Sequence, residues 1–478
     1  MFLKQFCDPF LAQYSYIIGC QSDRSAIVID PLRDVEQYLK AAKLEEYNLI
    51  ACTETHIHAD FLSGCKQLSE HENVTAYLSD EGNEDWKYNW IRNCSCDFRM
   101  LRDQSVIKIG NVELKAIHTP GHTPEHLSFL ITDTTKGQEI PMGIVTGDFI
   151  FVGDLGRPDL LESVLGAKGE TEMSAGQLYE SVKSFLEFPE YLQIWPGHGA
   201  GSACGKEISA VPESSVGYEK RMNKSIQAFH KGKVGFIKSI VKDQSDPPLY
   251  FKNMKIVNRD VGAEKPSKLN MSLLEHQDLN DILKDSSIQI IDTRQDQTSF
   301  MKKHFSGSIH IGLNKSFPKS AGSYIQPDDD LVIVVDNLDQ CEDVYNTLMR
   351  IGFDNIKGFM TMEIFNQIPE DFQGFSRIEM LTFADIVKHT LNEDQLILDV
   401  RNTFEFEHGH IRDAVNIPFT NLPLNLDQLP KNRKLIVHCT SGNTASAASS
   451  LLKSKGYNST YVNDKWENYR GITVFHTS

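Results

Sequence analysis

The sequence predicts a multidomain protein of mixed α/β and α+β class, and three observations predict it. The 478 residues are too many for one core; at roughly 100–200 residues per domain they imply about three. Over roughly the first 230 residues, short apolar runs alternate with loops rich in His, Gly and Asp. From about residue 269 onward the chain repeats itself with a period of about 105 residues, too long for a solenoid and suited to two tandem α/β domains. The expected domains are 1–268, 269–374 and 375–478, with a Pro- and Lys-containing connector over about 240–268 that packs on the first of them.

In the first part, Ser25-Ala26-Ile27-Val28-Ile29-Asp30 reads as a strand ended by Pro31. Asn48-Leu49-Ile50-Ala51-Cys52-Thr53 runs into Glu54-Thr55-His56, Gly143-Ile144-Val145-Thr146 into Gly147-Asp148, and Tyr191-Leu192-Gln193-Ile194-Trp195 into Pro196-Gly197-His198. In these last three, a strand ends and a metal-ligating residue type follows at once, which is how sites form at the carboxyl edges of sheets. In the repeat, Ile290-Ile291-Asp292-Thr293-Arg294 matches Leu398-Asp399-Val400-Arg401. Leu331-Val332-Ile333-Val334-Val335 likewise matches Leu435-Ile436-Val437-His438-Cys439, and apolar strands alternating with helical stretches predict parallel sheets.

Composition narrows the partners. A net charge of −17 and a pI of about 5.4 repel phosphate backbones and anionic lipid, so neither nucleic acid nor membrane is expected. Met1-Phe2-Leu3-Lys4-Gln5-Phe6 lacks the basic-then-apolar order of a secretory signal, and the expected compartment is the cytoplasm. Most of the nine scattered cysteines then read as small buried hydrophobes; Cys94 and Cys96, the nearest pair, have no second pair or nearby His to make a zinc site.

Two constellations carry chemistry. The first is Thr55-His56-Ile57-His58-Ala59-Asp60-Phe61 with Gly121-His122-Thr123-Pro124, Gly147-Asp148 and Pro196-Gly197-His198-Gly199. A lone His is ordinarily structural, but four such elements at strand ends predict a metal site. The second is His438-Cys439-Thr440-Ser441-Gly442-Asn443-Thr444, between the strand Lys434-Leu435-Ile436-Val437 and a helix rich in Ala and Ser. A cysteine there sits among backbone N–H groups at a helix N-terminus, and both features stabilise a thiolate. Ser441, Gly442 and Thr444 are the substrate-binding candidates around it.

The first constellation resembles the metallo-β-lactamase superfamily over residues 1 to about 240, which implies an αββα sandwich. That superfamily's second metal ordinarily needs a His right after the Asp60 position; Phe61 cannot coordinate, so one metal per chain is expected. The chain looks like the persulfide dioxygenase branch, and the resemblance implies one Fe(II) held by His56, His122 and Asp148, with His58 a supporting residue. It also directs attention to Gly153-Asp154-Leu155-Gly156-Arg157-Pro158-Asp159, where Arg157 either clamps a substrate carboxylate or pairs with Asp159. In Gly199-Ala200-Gly201-Ser202-Ala203-Cys204-Gly205-Lys206, Cys204 is either a catalytic thiol that relays persulfide sulfur or a buried cysteine.

The second constellation, with Asp399-Val400-Arg401 and Gly409-His410-Ile411, resembles a rhodanese domain with Cys439 as nucleophile. Rhodaneses usually place Arg five residues after the cysteine. Thr444 stands there, which lowers the fixed positive charge and leaves sulfite held mainly by backbone amides. A phosphatase loop would carry that Arg one position later, where Ala445 stands. The middle repeat places Val335 at the cysteine position, next to Asp336, and reads as a non-catalytic rhodanese fold serving as spacer or oligomer contact.

The whole resemblance implies Fe(II)-dependent oxidation of a small persulfide by O₂ to sulfite, coupled to sulfur transfer at Cys439 that turns sulfite into thiosulfate. The carriers that fit are glutathione, coenzyme A, cysteine and bacillithiol persulfides, and a homo-oligomer is expected. Fusion would keep the intermediate near its consumer. The alternative is a zinc thioester hydrolase of the glyoxalase II type with an accessory sulfurtransferase, which Phe61 disfavours; a third class, a sulfur-sensing module, is disfavoured by the intact ligands and Cys439.

Overall fold

The computed structural model describes every residue except 136, 138, 161, 163–168, 245, 267–271, 389–392, 472 and 475–478. The chain divides into two compact units, Met1–Pro266 and Ser267–Ser478.

The first unit is an αββα sandwich. One six-stranded sheet runs in chain order through Phe2–Cys7 (β1), Tyr14–Gly19 (β2), Ser25–Ile29 (β3), Asn48–Thr53 (β4), Thr75–Ser79 (β5) and Asp97–Leu101 (β6). The other holds Val106–Ile109 (β7), Val112–His118 (β8), Leu127–Asp133 (β9), Gly143–Gly147 (β10), Gln193–Pro196 (β11) and Ser214–Ser215 (β12), also in chain order. The period-two alternation of strands sorts their side chains. Tyr16, Ile18, Ile27 and Ile29 point inward to meet Leu114, Phe129, Ile131 and Val145 between the sheets. Ile17, Ala26 and Val28 point outward onto Tyr38 and Ala42 of the helix Glu36–Leu44. On the far side, Ile144 and Ile194 meet Leu178, Val182 and Phe185, spaced along one face of the helix Glu170–Phe185.

β3, β4, β5 and β6 are parallel, as are β10 and β11, so the ends of β4, β10 and β11 deliver His56, Asp148 and His198 into loops directly after them. The connector packs on this unit. Asn258 donates to the carbonyls of His58 (2.8 Å) and Phe61 (2.7 Å) and accepts from the Ser63 amide, while the Tyr250 hydroxyl donates to the Asp60 carbonyl. Four bonds from a segment about 190 residues downstream thus hold the His-rich loop in shape.

The second unit contains both repeats. A four-stranded parallel sheet orders Ile309–His310, Ile288–Asp292, Asp330–Val335 and Ile356–Thr361. A five-stranded parallel sheet orders Glu379–Leu381, Asn458–Val462, Lys434–His438, Gln395–Asp399 and Val415–Asn416. Asp292 stands opposite Val334 and Asp399 opposite His438, so the residues that follow, Val335 and Cys439, occupy equivalent positions. The strands Ile288–Asp292 and Gln395–Asp399 end in the same internal pair, Asp292–Arg294 and Asp399–Arg401, each at 2.6 Å and buried. The helix Asn443–Ser454 buries a run of Ala and Ser that lets the middle repeat approach closely: His310 donates its amide to Ser450 Oγ, and its Nδ1 meets Ser446 Oγ, both at 2.9 Å.

The sequence reading of mostly reduced cysteines meets one exception, a disulfide between Cys94 and Cys96 on the surface turn before β6. No helix among the described residues is long and apolar enough to cross a membrane.

Candidate functional site

His56, His122 and Asp148 converge, each buried, with one donor atom apiece inside a 4.8 Å span. His56 Nε2 lies 4.0 Å and His122 Nε2 3.5 Å from Asp148 Oδ2. Their neighbours fix which nitrogen faces the centre. The Thr55 hydroxyl gives its proton to Asp30 Oδ2 (2.9 Å) and so accepts from His56 Nδ1 (2.9 Å); His122 Nδ1 donates to the Arg157 carbonyl (3.0 Å). Both imidazoles therefore turn an Nε2 lone pair inward. Burial lowers the pKa of both rings, which keeps them neutral. Asp148 Oδ2 is buried with no hydrogen-bond partner. Two aimed lone pairs and an orphaned carboxylate oxygen are what a divalent metal needs, and these residues fit one.

A second triplet, Asp60, His198 and Cys204, lies in the same loop cluster. Here both ring nitrogens of His198 are taken, Nδ1 by Asp148 Oδ1 and Nε2 by Asp60 Oδ2, each at 2.7 Å. Burial opposes a charge on His198, but Asp148 and Asp60 outweigh it and raise its pKa well above the ordinary imidazole value. Both ring nitrogens of His198 are thus engaged by carboxylates, within a triplet whose three ligand atoms also lie inside 4.8 Å of one another. The position after Asp60 is filled by the fully buried Phe61 ring, 4.3 Å from the ring of His58. His58 packs on the ring of His56, with centroids 4.3 Å apart, and its Nε2 bonds Asp30 Oδ1 (3.1 Å); burial disfavours its charge, but Asp30 carries its pKa up to about 9.

Arg157 pairs with Asp159 in this structure. Its guanidinium is buried and engaged in a fork on Asp159 (2.8 and 2.7 Å), with a further bond to the Ala203 carbonyl. Cys204 is buried beside the metal donors, and burial, with the charges of Asp60 and Asp148, pushes its thiol pKa well up. A Cβ on Gly197 would stand 2.5 Å from Asp148 Oδ1, which explains the glycine before His198.

Sequence reasoning missed Asp30, Thr55 and His126. His126 accepts from the Asp148 amide (3.1 Å) and pairs with Thr119 (2.8 Å), and burial lowers its pKa to about 3. Its signal was its place four residues after His122. Asp30, at the end of β3, gave only the hint that it too is a polar residue closing a strand.

In the second unit Cys439 is buried, and its Sγ accepts from the amides of Gly442 (3.1 Å) and Ala445 (3.4 Å). Gly442 has φ of +94°, the left-handed turn that aims its N–H back at sulfur. Thr444 lies in the first turn of the helix Asn443–Ser454, and Thr440 Oγ1 donates to Glu405 (2.6 Å). Ser441 is exposed at the loop tip.

An αββα sandwich with a buried His–His–Asp cluster at its strand ends, followed by a cysteine loop on a parallel sheet, defines a metal-binding protein with a sulfurtransferase-type module. The metallo-beta-lactamase superfamily model matches residues 8–198, and the rhodanese-like domain model matches 275–359 and 383–470. The crystal structure of a metallo-beta-lactamase from Staphylococcus aureus subsp. aureus COL is 36% identical, covers 76% of this chain and 99% of its own, and superposes with a TM-score of 0.67. The mitochondrial persulfide dioxygenase of Bos taurus is 26% identical over 235 residues, 48% of this chain and 79% of that one. The hydroxyacylglutathione hydrolase GloC of Haemophilus influenzae is 24% identical over 202 residues, 40% of this chain and 87% of that one. The chain belongs to the metallo-beta-lactamase superfamily and carries two rhodanese-like domains.

Proposed function

We propose that the first unit is an Fe(II)-dependent persulfide dioxygenase and that the last repeat passes sulfane sulfur from a persulfide to sulfite through Cys439. The observation that carries the reading is the donor set: two imidazole Nε2 atoms and one carboxylate oxygen converging on a buried centre, while His198 has both ring nitrogens engaged by carboxylates and Phe61 offers no ligand atom. An Fe(II) held by His56, His122 and Asp148 would supply neighbouring open positions for a persulfide sulfur and O₂. The relative of Bos taurus bears that activity in its name, which supports the choice.

The chain's own groups do the rest. Thr55 and the Arg157 carbonyl hold the two imidazoles neutral and oriented; His198 engages Asp148 Oδ1, so that Oδ2 alone faces the centre. The net reaction takes a persulfide R–S–SH, O₂ and water to R–SH and sulfite. At Cys439, the thiolate attacks the outer sulfur of a second persulfide and R–S⁻ leaves. Sulfite then attacks that sulfur, the Cys439 S–S bond breaks with its electron pair returning to Cys439, and thiosulfate departs.

The hydrolase relative keeps one competing reading, thioester hydrolysis at a zinc centre. Oxygen uptake separates the two. Anaerobically iron-loaded protein should consume O₂ on glutathione persulfide and leave S-lactoylglutathione intact. Thioester cleavage without O₂ uptake would select the hydrolase.

A further inference from the structure

We propose that the middle repeat is half of the sulfur-transfer pocket, and that Tyr324, which it contributes, binds the oxyanion acceptor that takes sulfur from Cys439. The inference rests on the reading of Cys439 as a sulfur carrier and deepens it, by assigning the group that stands in for the arginine missing at Thr444.

The middle repeat reaches the cysteine loop from two sides. On one side, Gln297 at the start of the helix Gln297–Lys302 donates to Asn443 Oδ1 and accepts the Tyr461 hydroxyl proton at 3.0 Å. Close by, Asn463 Nδ2 donates to Thr298 Oγ1 at 3.1 Å. Tyr461 and Gln297 press on the glycine that bonds Cys439: a Cβ on Gly442 would meet the Tyr461 hydroxyl at 2.5 Å and Gln297 Oε1 at 3.5 Å. On the other side, the helix Phe317–Tyr324 packs on the helix Asn443–Ser454 and on the turn Phe419–Leu424. The Tyr324 ring meets Phe419 edge-on with centroids 6.4 Å apart. Phe419 donates its amide to the Val400 carbonyl, and the Val400 amide to the carbonyl of His438, the residue before Cys439. Both walls thus close on the cysteine edge of the last repeat's sheet.

The hydroxyls differ in what they have left to give. Tyr461 has committed its proton to Gln297. Tyr324 is 6% exposed, and its hydroxyl is buried with no hydrogen-bond partner. A hydroxyl buried unpaired is costly to the fold, so a partner arriving there recovers that cost. Burial, then the charge of Cys439, raises the Tyr324 pKa, so the group stays a donor at any working pH. Sulfite carries three acceptor oxygens while it attacks through sulfur, so it can take that bond without losing its nucleophile. Lys319, on the same helix, holds its ammonium 5.2 Å from the Phe419 ring centroid and brings positive charge to the same wall.

The test compares full-length native protein with Tyr324→Phe and Cys439→Ser, using glutathione persulfide as donor and sulfite as acceptor. Oxygen uptake reports the first unit, the mass of the intact protein reports persulfide on Cys439, and thiosulfate is followed against sulfite concentration. The expected result for Tyr324→Phe is a KM for sulfite raised about tenfold, with Cys439 still loaded to the native extent and oxygen uptake unchanged. Gln297→Ala, which frees Tyr461, should instead slow the loading of Cys439. A native KM for sulfite in Tyr324→Phe, while Cys439→Ser forms no thiosulfate, overturns the Tyr324 assignment alone. Native thiosulfate formation by Cys439→Ser overturns the sulfur-carrier reading beneath it.

Discussion

His198 shows how one residue bears on the proposed number of metals. Held between Asp148 and Asp60 at 2.7 Å each, it has both ring nitrogens engaged, and the proposal of a single ion rests on those bonds. Metal analysis after anaerobic iron loading should give one ion per chain, and two tightly bound ions would contradict it. The support under His56 is equally specific. Thr55→Val removes the acceptor of its Nδ1 proton and should weaken metal affinity on the order of 10- to 100-fold with the fold intact, because such partners orient the ligand; competition with a chelator measures it. At this scale the sequence revealed the three donors, since their types recur at strand ends. Asp30 and Asn258 stayed hidden because each acts by hydrogen bonds to a ligand loop reached through folding, and Thr55, next to His56 in the chain, shows its role only through the proton it gives Asp30.

The elements around Cys439 carry two further predictions. Gly442→Ala forces a side chain into a left-handed turn already pressed by the Tyr461 hydroxyl, a cost of about 1–3 kcal/mol. It should lower the Tm and abolish sulfur transfer, as the Gly442 N–H swings away from sulfur; a fully active variant would show that the turn does not hold the nucleophile. The buried histidines give a pH dependence. Burial depresses His304 and His438 to about 4, so between about 6.5 and 4 the unfolded chain binds protons that the folded one refuses. Stability conferred by keeping these rings neutral is therefore full above about pH 6.5 and falls as pH drops, by at most about 1.4 kcal/mol per pH unit for each ring. Thermal unfolding of the second unit should shift downward between pH 7 and 5, and His304→Phe should flatten the shift. The repeat and its parallel strands were legible because apolar runs recur in step, and Val335 stood opposite the cysteine position without a gap. What could not be read was the use of the middle repeat, since Gln297 and Tyr324 meet the last repeat through helices whose surface residues carry no periodic signal.

As a whole, the molecule places its two candidate sites in separate compact units, the metal donors in one and the cysteine loop in the other, and the proposed function divides the chemistry between them. His122→Ala should abolish O₂ uptake while leaving thiosulfate formation from added sulfite and persulfide intact, and equal loss of both in a folded variant would refute the division. The most direct measurement follows the products. Native protein and Cys439→Ser, both loaded anaerobically with Fe(II), receive the same glutathione persulfide; oxygen is admitted, and sulfite and thiosulfate are quantified against a control without protein. Equal oxygen uptake is predicted, with thiosulfate from the native protein and sulfite from the variant. Absence of oxygen uptake by the iron-loaded protein, or the same thiosulfate from both, would contradict the account.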